Sequence, residues 1–253
     1  MILKRLGNKQ NIAMKIQTYF PQHEIYIEPF FGAGGMFFNK PKAKYNIVND
    51  LDSDVFNLFQ VVINNKDEFI NCFEKMPIHS DLLDYWKENK ETEPIKKALR
   101  FILISNMTWL GIGDKIHTAL KNHKAAVRNN IDFVFDKLND VIFNNMTFDE
   151  FFKNISFRGD MEKNKTFIYA DPPYLNTSDN YSNSFTENDV VNLFKALDEM
   201  KCKFAYSEFD NEFVINEAKK RGLNINYIGE RNNLKNRRTE ILITNYENAP
   251  TLF

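Results

Sequence analysis

Cysteine is scarce in this sequence: Cys72 and Cys202 are the only two in 253 residues. Their number excludes a disulfide framework and their spacing does not suit structural zinc, so a reducing cell interior is expected. An excess of one charge is lacking as well. Lys and Arg total 33 against 34 Asp and Glu, a net charge of −1, which excludes a polycationic coat or histone-like protein but leaves room for a local basic face. No apolar run approaches the roughly 18 residues of a membrane span, and MILKRLGNKQ lacks the apolar stretch of a signal peptide. A cytoplasmic protein with no membrane partner is expected. Repeats and linkers are absent too, while a 43% hydrophobic content suffices for one core, or for a core with a smaller satellite.

What is present is an alternation. Short apolar runs bounded by acidic or turn residues recur at 23–30, 43–50, 164–173, 201–209, 223–230 and 239–246, and each reads as a strand. Helical patterns at 8–20, 53–64, 186–200 and 210–221 lie between several of them, the third opening with Thr186 and Glu187 as a cap. Such alternation predicts an α/β parallel sheet that closes with an antiparallel hairpin. The stretch 53–138 breaks the rhythm with helical candidates at 66–76, 78–90, 93–107 and 130–138, and reads as an inserted helical subdomain. The Asn64-Asn65 and Asn129-Asn130 pairs suit loops or helix ends.

Two segments carry chemistry. The first runs from Glu28 and Pro29 through Phe30, Phe31, Gly32, Ala33, Gly34 and Gly35 to Met36, a glycine-rich turn directly after a strand. Glycines there let backbone approach a ligand, although a tight turn needs them equally. Eighteen residues after Gly32 stands Asp50, where dinucleotide-type folds hydrogen-bond ribose hydroxyls; alternatively Asp50 or Asp52 merely caps the next helix. The second segment, Asp171-Pro172-Pro173-Tyr174, ends a predicted strand. Four specified residues match by chance on the order of once in a thousand sequences of this length. Prolines remove N–H donors and leave carbonyls beside a carboxylate and an aromatic ring. An exocyclic amine has two hydrogens, and Asp171 with the Pro172 carbonyl offers two acceptors, with Tyr174 available to stack on a planar base.

In these motifs the chain resembles the D12 class, α group, of DNA adenine-N6 methyltransferases, the Dam-like family, along nearly its whole length. Gly7-Asn8-Lys9 resembles the N-terminal motif whose lysine lies near the cofactor, and Phe30-x-Gly32-x-Gly34 matches F-x-G-x-G. Asp50 falls at the ribose acid, Phe148 near an aromatic that packs on the cofactor adenine, and Tyr181 just beyond the catalytic loop. Ser105-Asn106-Met107 resembles part of the recognition region, and Arg237 to Asn245 the final hairpin. The resemblance implies a class I Rossmann-like sheet, with residues 1–54 and 139–253 catalytic and 55–138 a helical target-recognition subdomain. It implies methyl transfer from S-adenosylmethionine to adenine N6 of a flipped-out base in double-stranded DNA, without metal, by a monomer or weak dimer, in restriction-modification or related roles. Catalysis falls to Asp171, Pro172 and Tyr174; cofactor binding falls to Lys9, Glu28, Phe30, Gly32, Gly34, Asp50, Phe148 and Asp171. A methyltransferase of RNA, or an inactive DNA-binding relic, are the alternatives.

Two departures from the family stand out. Arg5 occupies a position usually aromatic, and the loop from Thr108 to Arg128 lacks the proline-containing recognition loop of GATC-specific members. GATC specificity is therefore not carried over. Charge is polarised instead: 115–128 carries +4 and 219–238 carries +6, leaving −11 elsewhere. Lys115, Lys121, Lys124, Arg128, Arg237 and Arg238 are the expected DNA contacts. Trp109 reads either as a wedge into DNA or as core.

Overall fold

A computed structural model describes residues 1–5, 7–117, 123–175, 185–232 and 237–247. The chain runs α1 (Ala13–Gln17), β1 (Ile25–Glu28), β2 (Tyr45–Asn49), α2 (Ser53–Asn64), α3 (Lys66–Lys75), α4 (Ser80–Glu88), α5 (Pro94–Met107) and α6 (His123–Leu138). It continues through β3 (Val141–Asn144), α7 (Phe148–Asn154), α8 (Asp160–Asn164), β4 (Thr166–Ala170), α9 (Glu187–Met200), β5 (Lys203–Phe209), α10 (Glu212–Lys220), β6 (Asn224–Asn232) and β7 (Arg237–Thr244). These elements form two compact units: residues 1–10, 32–39 and 52–141 make the helical unit, and residues 11–31, 40–51 and 142–253 the sheet unit.

The sheet has the order β3-β2-β1-β4-β5-β7-β6. Strands β2, β1, β4 and β5 are parallel, and β7 runs antiparallel to both β5 and β6. This is the expected α/β class with its closing hairpin. Every residue of β4 is buried, which is why Phe167 to Ala170 run as a continuous apolar stretch rather than alternating. On α9 the buried Val190, Leu193, Phe194 and Leu197 follow helical spacing and join Phe204, Tyr206, Val214 and Ala218 in one core. Thr186 caps that helix in a reciprocal box with Asp189. Because β1 is flanked by β2 on one side and β4 on the other, the strand order switches between β1 and β4. A crevice beyond their carboxyl ends is where open α/β sheets take ligands.

In the helical unit α2 packs on α5, each burying one apolar face. Pro94 begins α5 and Glu93 caps it, accepting from the Ile95 and Lys96 amides. Three sequence expectations need correction. The helix expected at 8–20 shrinks to Ala13–Gln17: the Asn8 side chain accepts from the Gln10 amide at 3.0 Å, and residues 10–12 form a turn instead of a helical start. Helix α6 begins at His123, not 130, and Asn129-Asn130 lies inside it. The Asn130 amide donates to the Ala126 carbonyl one turn back at 2.7 Å, so the side chain follows the helix instead of ending it. Strand β3 was not anticipated, being a four-residue, half-exposed edge strand without alternation.

Candidate functional site

The sheet unit gathers polar and aromatic side chains at strand ends. At the end of β1, Glu28 is 2% exposed and accepts a 2.8 Å hydrogen bond from the Tyr26 hydroxyl. Burial pushes its carboxyl well above the usual range; the Tyr26 bond opposes this, Asp171 adds to it, Lys40 opposes and Asp50 adds. Lys40 is itself buried, its ammonium donating to the Pro41 carbonyl at 2.8 Å and standing 4.0 Å from the Tyr26 ring centroid.

At the end of β2, buried Asn49 ties three loops together. Its amide donates to the Pro29 and Met146 carbonyls, both at 3.0 Å, and its Oδ1 accepts from the Met146 amide at 3.1 Å. The Phe31 and Asp50 amides bond to the Asn49 and Asn144 carbonyls, and the Asn145 side chain donates to the Asp50 and Leu51 carbonyls. Asp50 is thus held half-buried in a loop fixed on both sides. Asp52, not Asp50, is the cap of α2, accepting from the Asp54 amide at 2.9 Å. A capping box of Thr147 and Glu150 starts α7 and sets Phe148 at its first position. The rings of Phe30, Phe148 and Phe185 lie 5.7 to 6.1 Å apart, centroid to centroid. Sequence reading missed Phe185 and the asparagine clamps, whose only signal was position next to strand ends.

Beyond β4, Asp171 and Pro173 are half-buried and Pro172 is buried. Tyr174 is 9% exposed, its ring edge-on to Phe209 at 4.6 Å and its hydroxyl donating to Glu240 at 2.5 Å. Burial, then the charges of Asp171 and Glu240, push its phenol well above the normal range. The sheet unit therefore brings Glu28, Phe30, Asp50, Phe148, Asp171, Pro172 and Tyr174 to the ends of β1, β2, β3 and β4 or just beyond them. Tyr181 lies outside the described residues. Arg238 is half-buried with its guanidinium 5.8 Å from the Phe209 centroid, and the side chain of Arg237 is outside the described set.

The helical unit holds the other candidates. Gly32 and Gly34 have φ of 54° and 71°, a backbone that side chains disfavour. Gly35 is required by close approach: a Cβ there would stand 1.9 Å from Asn8 Oδ1 and 2.9 Å from the Lys9 amide nitrogen. The buried Lys9 is thereby seated against the glycine turn. Arg5, at the position usually aromatic, pairs with Asp52 at 3.0 Å. Asn106 is buried and brackets the N-terminal segment, donating to the Ile2 carbonyl at 2.7 Å and accepting from the Lys4 amide at 2.8 Å.

Among the expected DNA contacts, Lys115 is exposed and Lys121 falls outside the described residues. The Lys124 ammonium donates to the Glu74 and Met76 carbonyls at 2.8 and 2.7 Å, closing the end of α3. Arg128 pairs with Glu74 at 3.0 Å and Asp132 at 3.7 Å. In the second basic run, Lys220 and Arg221 each meet Glu217 at 2.6 Å. Trp109 is 55% exposed, so it is not core, and it stacks on His117 at 5.2 Å. Among the described residues no helix is long and apolar enough to cross a membrane.

Residues 6–241 match the family model of D12 class N6 adenine-specific DNA methyltransferases. The DNA adenine methylase of Escherichia coli (strain K12) is 25% identical over 211 residues, 76% of this chain and 73% of that protein. The type II methyltransferase M1.LlaDCHI of Lactococcus lactis subsp. cremoris is 22% identical over 275 residues, 97% of this chain and 95% of that protein. Among solved structures, the rRNA methyltransferase aviRa from Streptomyces viridochromogenes aligns over 92% of this chain and 83% of that chain, with a TM-score of 0.41 and 10% identity.

Proposed function

This chain belongs to the D12 class N6 adenine-specific DNA methyltransferase family, and from that premise we propose that Asp171 and the Pro172 carbonyl receive the N6 amine of an adenine extruded from double-stranded DNA. The methyl donor is S-adenosylmethionine. One observation carries the reading: the Asp171 to Tyr174 loop leaves β4 where the strand order switches, with Asp50 and the phenylalanine cluster in the loops that follow neighbouring strands. That donor set suits an adenosine group, since three clustered rings take a planar purine and a carboxylate takes ribose hydroxyls. When bound, the donor supplies a methyl group activated by a sulfonium centre.

The chain's own residues answer the weakness of the nucleophile. The lone pair of an adenine amine is delocalised into the ring. Two acceptors, the Asp171 carboxylate and the Pro172 carbonyl, favour the pyramidal nitrogen and stabilise the positive charge that develops on it. The prolines hold these acceptors in a loop with few rotational alternatives, so the alignment is set before the base arrives. The amine is inaccessible within a duplex, and extrusion costs roughly a few kcal/mol, which phosphate contacts and loop insertion offset. In this reading residues 55–138 carry target recognition, Lys9 and the glycine turn attend the cofactor, and Lys115 meets phosphate.

Tritiated methyl transfer from S-adenosylmethionine to duplex DNA, single-stranded DNA and RNA tests the proposal, with the product nucleoside identified by mass spectrometry. N6-methyl-2′-deoxyadenosine from duplex DNA is the expected product. Preferential labelling of RNA, or calorimetric cofactor binding without transfer to any nucleic acid, overturns it in favour of an RNA enzyme or a binding relic.

A further inference from the structure

The sheet unit contains two fully buried glutamates that the reaction as outlined does not use. Glu240 on β7 and Glu208 on β5 are each 0% exposed, on strands that bury Ile241, Leu242 and Ile243 beside them. An isolated buried carboxylate is expensive, and a packed apolar side chain serves stability at least as well. Both are organised by hydrogen bonds that lead to the loop after β4. Glu240 Oε1 accepts from the Tyr174 hydroxyl at 2.5 Å and from the Ser207 hydroxyl at 2.7 Å. Glu208 Oε2 accepts from the Leu175 amide at 3.2 Å and the Tyr206 hydroxyl at 3.4 Å, while its Oε1 accepts from the Phe209 amide at 2.8 Å.

We propose that Glu240, oriented by Ser207, is a positioning residue for methyl transfer: it grips the Tyr174 hydroxyl, while Glu208 grips the next amide, and together they fix the Asp-Pro-Pro-Tyr loop from the sheet side. This deepens, and rests on, the reading of Asp171 and Pro172 as the acceptors of the amine. It also reassigns Tyr174. Its hydroxyl points to the sheet and its ring lies edge-on to Phe209, so beyond any contact with a base it transmits the register of the sheet to the two acceptors three and two residues earlier. Prolines alone stiffen the loop but do not choose its orientation. A carboxylate that accepts two hydroxyls on one oxygen leaves that choice little freedom.

Two readouts test this. The first needs no DNA: deuterium exchange of a peptide covering 166–175, compared among the parent, Glu240→Gln and Glu240→Leu. Gln keeps an acceptor for both hydroxyls and should exchange like the parent, while Leu should exchange at least about threefold faster there, with the α9 peptide unchanged. The second is the single-turnover rate at saturating cofactor and DNA. Tyr174→Phe and Glu240→Leu should each slow the step by roughly tenfold with dissociation constants within about twofold, and the double variant should be no slower than the worse single. Glu240→Gln should recover most of the rate. Multiplicative losses, or a Tyr174→Phe rate equal to the parent's, overturn the proposal. So does unchanged exchange in Glu240→Leu. Should that variant fail to fold, Tyr174→Phe, which removes one hydroxyl, decides alone through both readouts. A parent that transfers no methyl to adenine defeats the functional reading, and the exchange result still judges the anchor.

Discussion

The buried acids of the sheet unit and the bases of the helical unit are held in place by opposite means. Glu28, Glu208 and Glu240 are buried, and hydroxyls and amides bond to them. Lys124 and Arg128 are more open to solvent, and each already meets carbonyls or carboxylates of its own unit. A buried acid in a ring of donors organises geometry, because moving any partner leaves a buried polar group unsatisfied in low dielectric. An exposed base contributes to DNA binding only what its internal partners leave over. The acids should therefore govern the rate and fold of this protein, and the bases its affinity, by smaller steps.

The largest effect expected from this contrast is at Asp171. Asp171→Ala should lower single-turnover transfer by about a hundredfold or more, the loss typical of one preorganised electrostatic partner. Its thermal midpoint should stay within a few degrees of the parent's, because the carboxylate is only half-buried and on the proposed reading acts on substrate. Activity within a few-fold of the parent would remove the acid side of the comparison altogether.

Next comes a polar residue of the helical unit that breaks the pattern. Asn106 resembles part of a recognition segment in sequence, yet it is buried and clamps Ile2 and Lys4. Asn106→Ala leaves a carbonyl and an amide without their partner and should cost about 1–3 kcal/mol in urea unfolding. The DNA sequence preference should not change. A changed preference with unaltered stability would make Asn106 a reader of bases.

Glu28 sharpens the acid side through pH. Its folded pKa is raised, chiefly by burial, so the folded state holds a proton that the unfolded state releases. The stability this proton confers is complete below the unfolded value and is lost as pH rises through the folded one. Glu28→Gln is neutral at all pH. In the absence of cofactor, its urea midpoint should gain on the parent's as pH rises above the usual carboxylate range, a difference that vanishes toward acid. A gain in the opposite sense means Glu28 is ionised and held by Lys40.

The two regions also differ in how far they could be read from sequence. Strand β4 and its loop were legible because burial on both faces makes a continuous apolar run and two prolines mark its end. The Asn49 and Asn145 clamps were not, since an asparagine beside a strand end looks the same whether it turns the chain or ties three loops. Glu240 was hidden for a related reason: in a strand sequence a glutamate marks the solvent face, and only the three-dimensional fold buries it and brings Tyr174 and Ser207 to it. On the basic side the charge run was visible, but its partners Glu74 and Asp132 lie on other turns and another helix. Net charge along the chain counts bases without counting what neutralises them in space.

That difference between counted and available charge gives the smallest expected effect. Each Lys that neutralises a phosphate adds nearly one unit to the slope of log affinity against log salt. Removing Lys121 and Lys124 together should then lower the slope by about two if both are free to serve. Lys124 already donates to two carbonyls, and transferring it to phosphate would unseat the end of α3. Lys115 is exposed. Lys115→Ala should therefore lower the slope by about one, and Lys124→Ala by well under half as much, when binding is followed by anisotropy between about 50 and about 200 mM salt. Lys124→Ala should instead show its effect as a modest loss of thermal stability in the free protein. Equal slopes for the two variants would mean that the ammonium leaves its carbonyls on binding, and that the helical unit rearranges when it meets DNA.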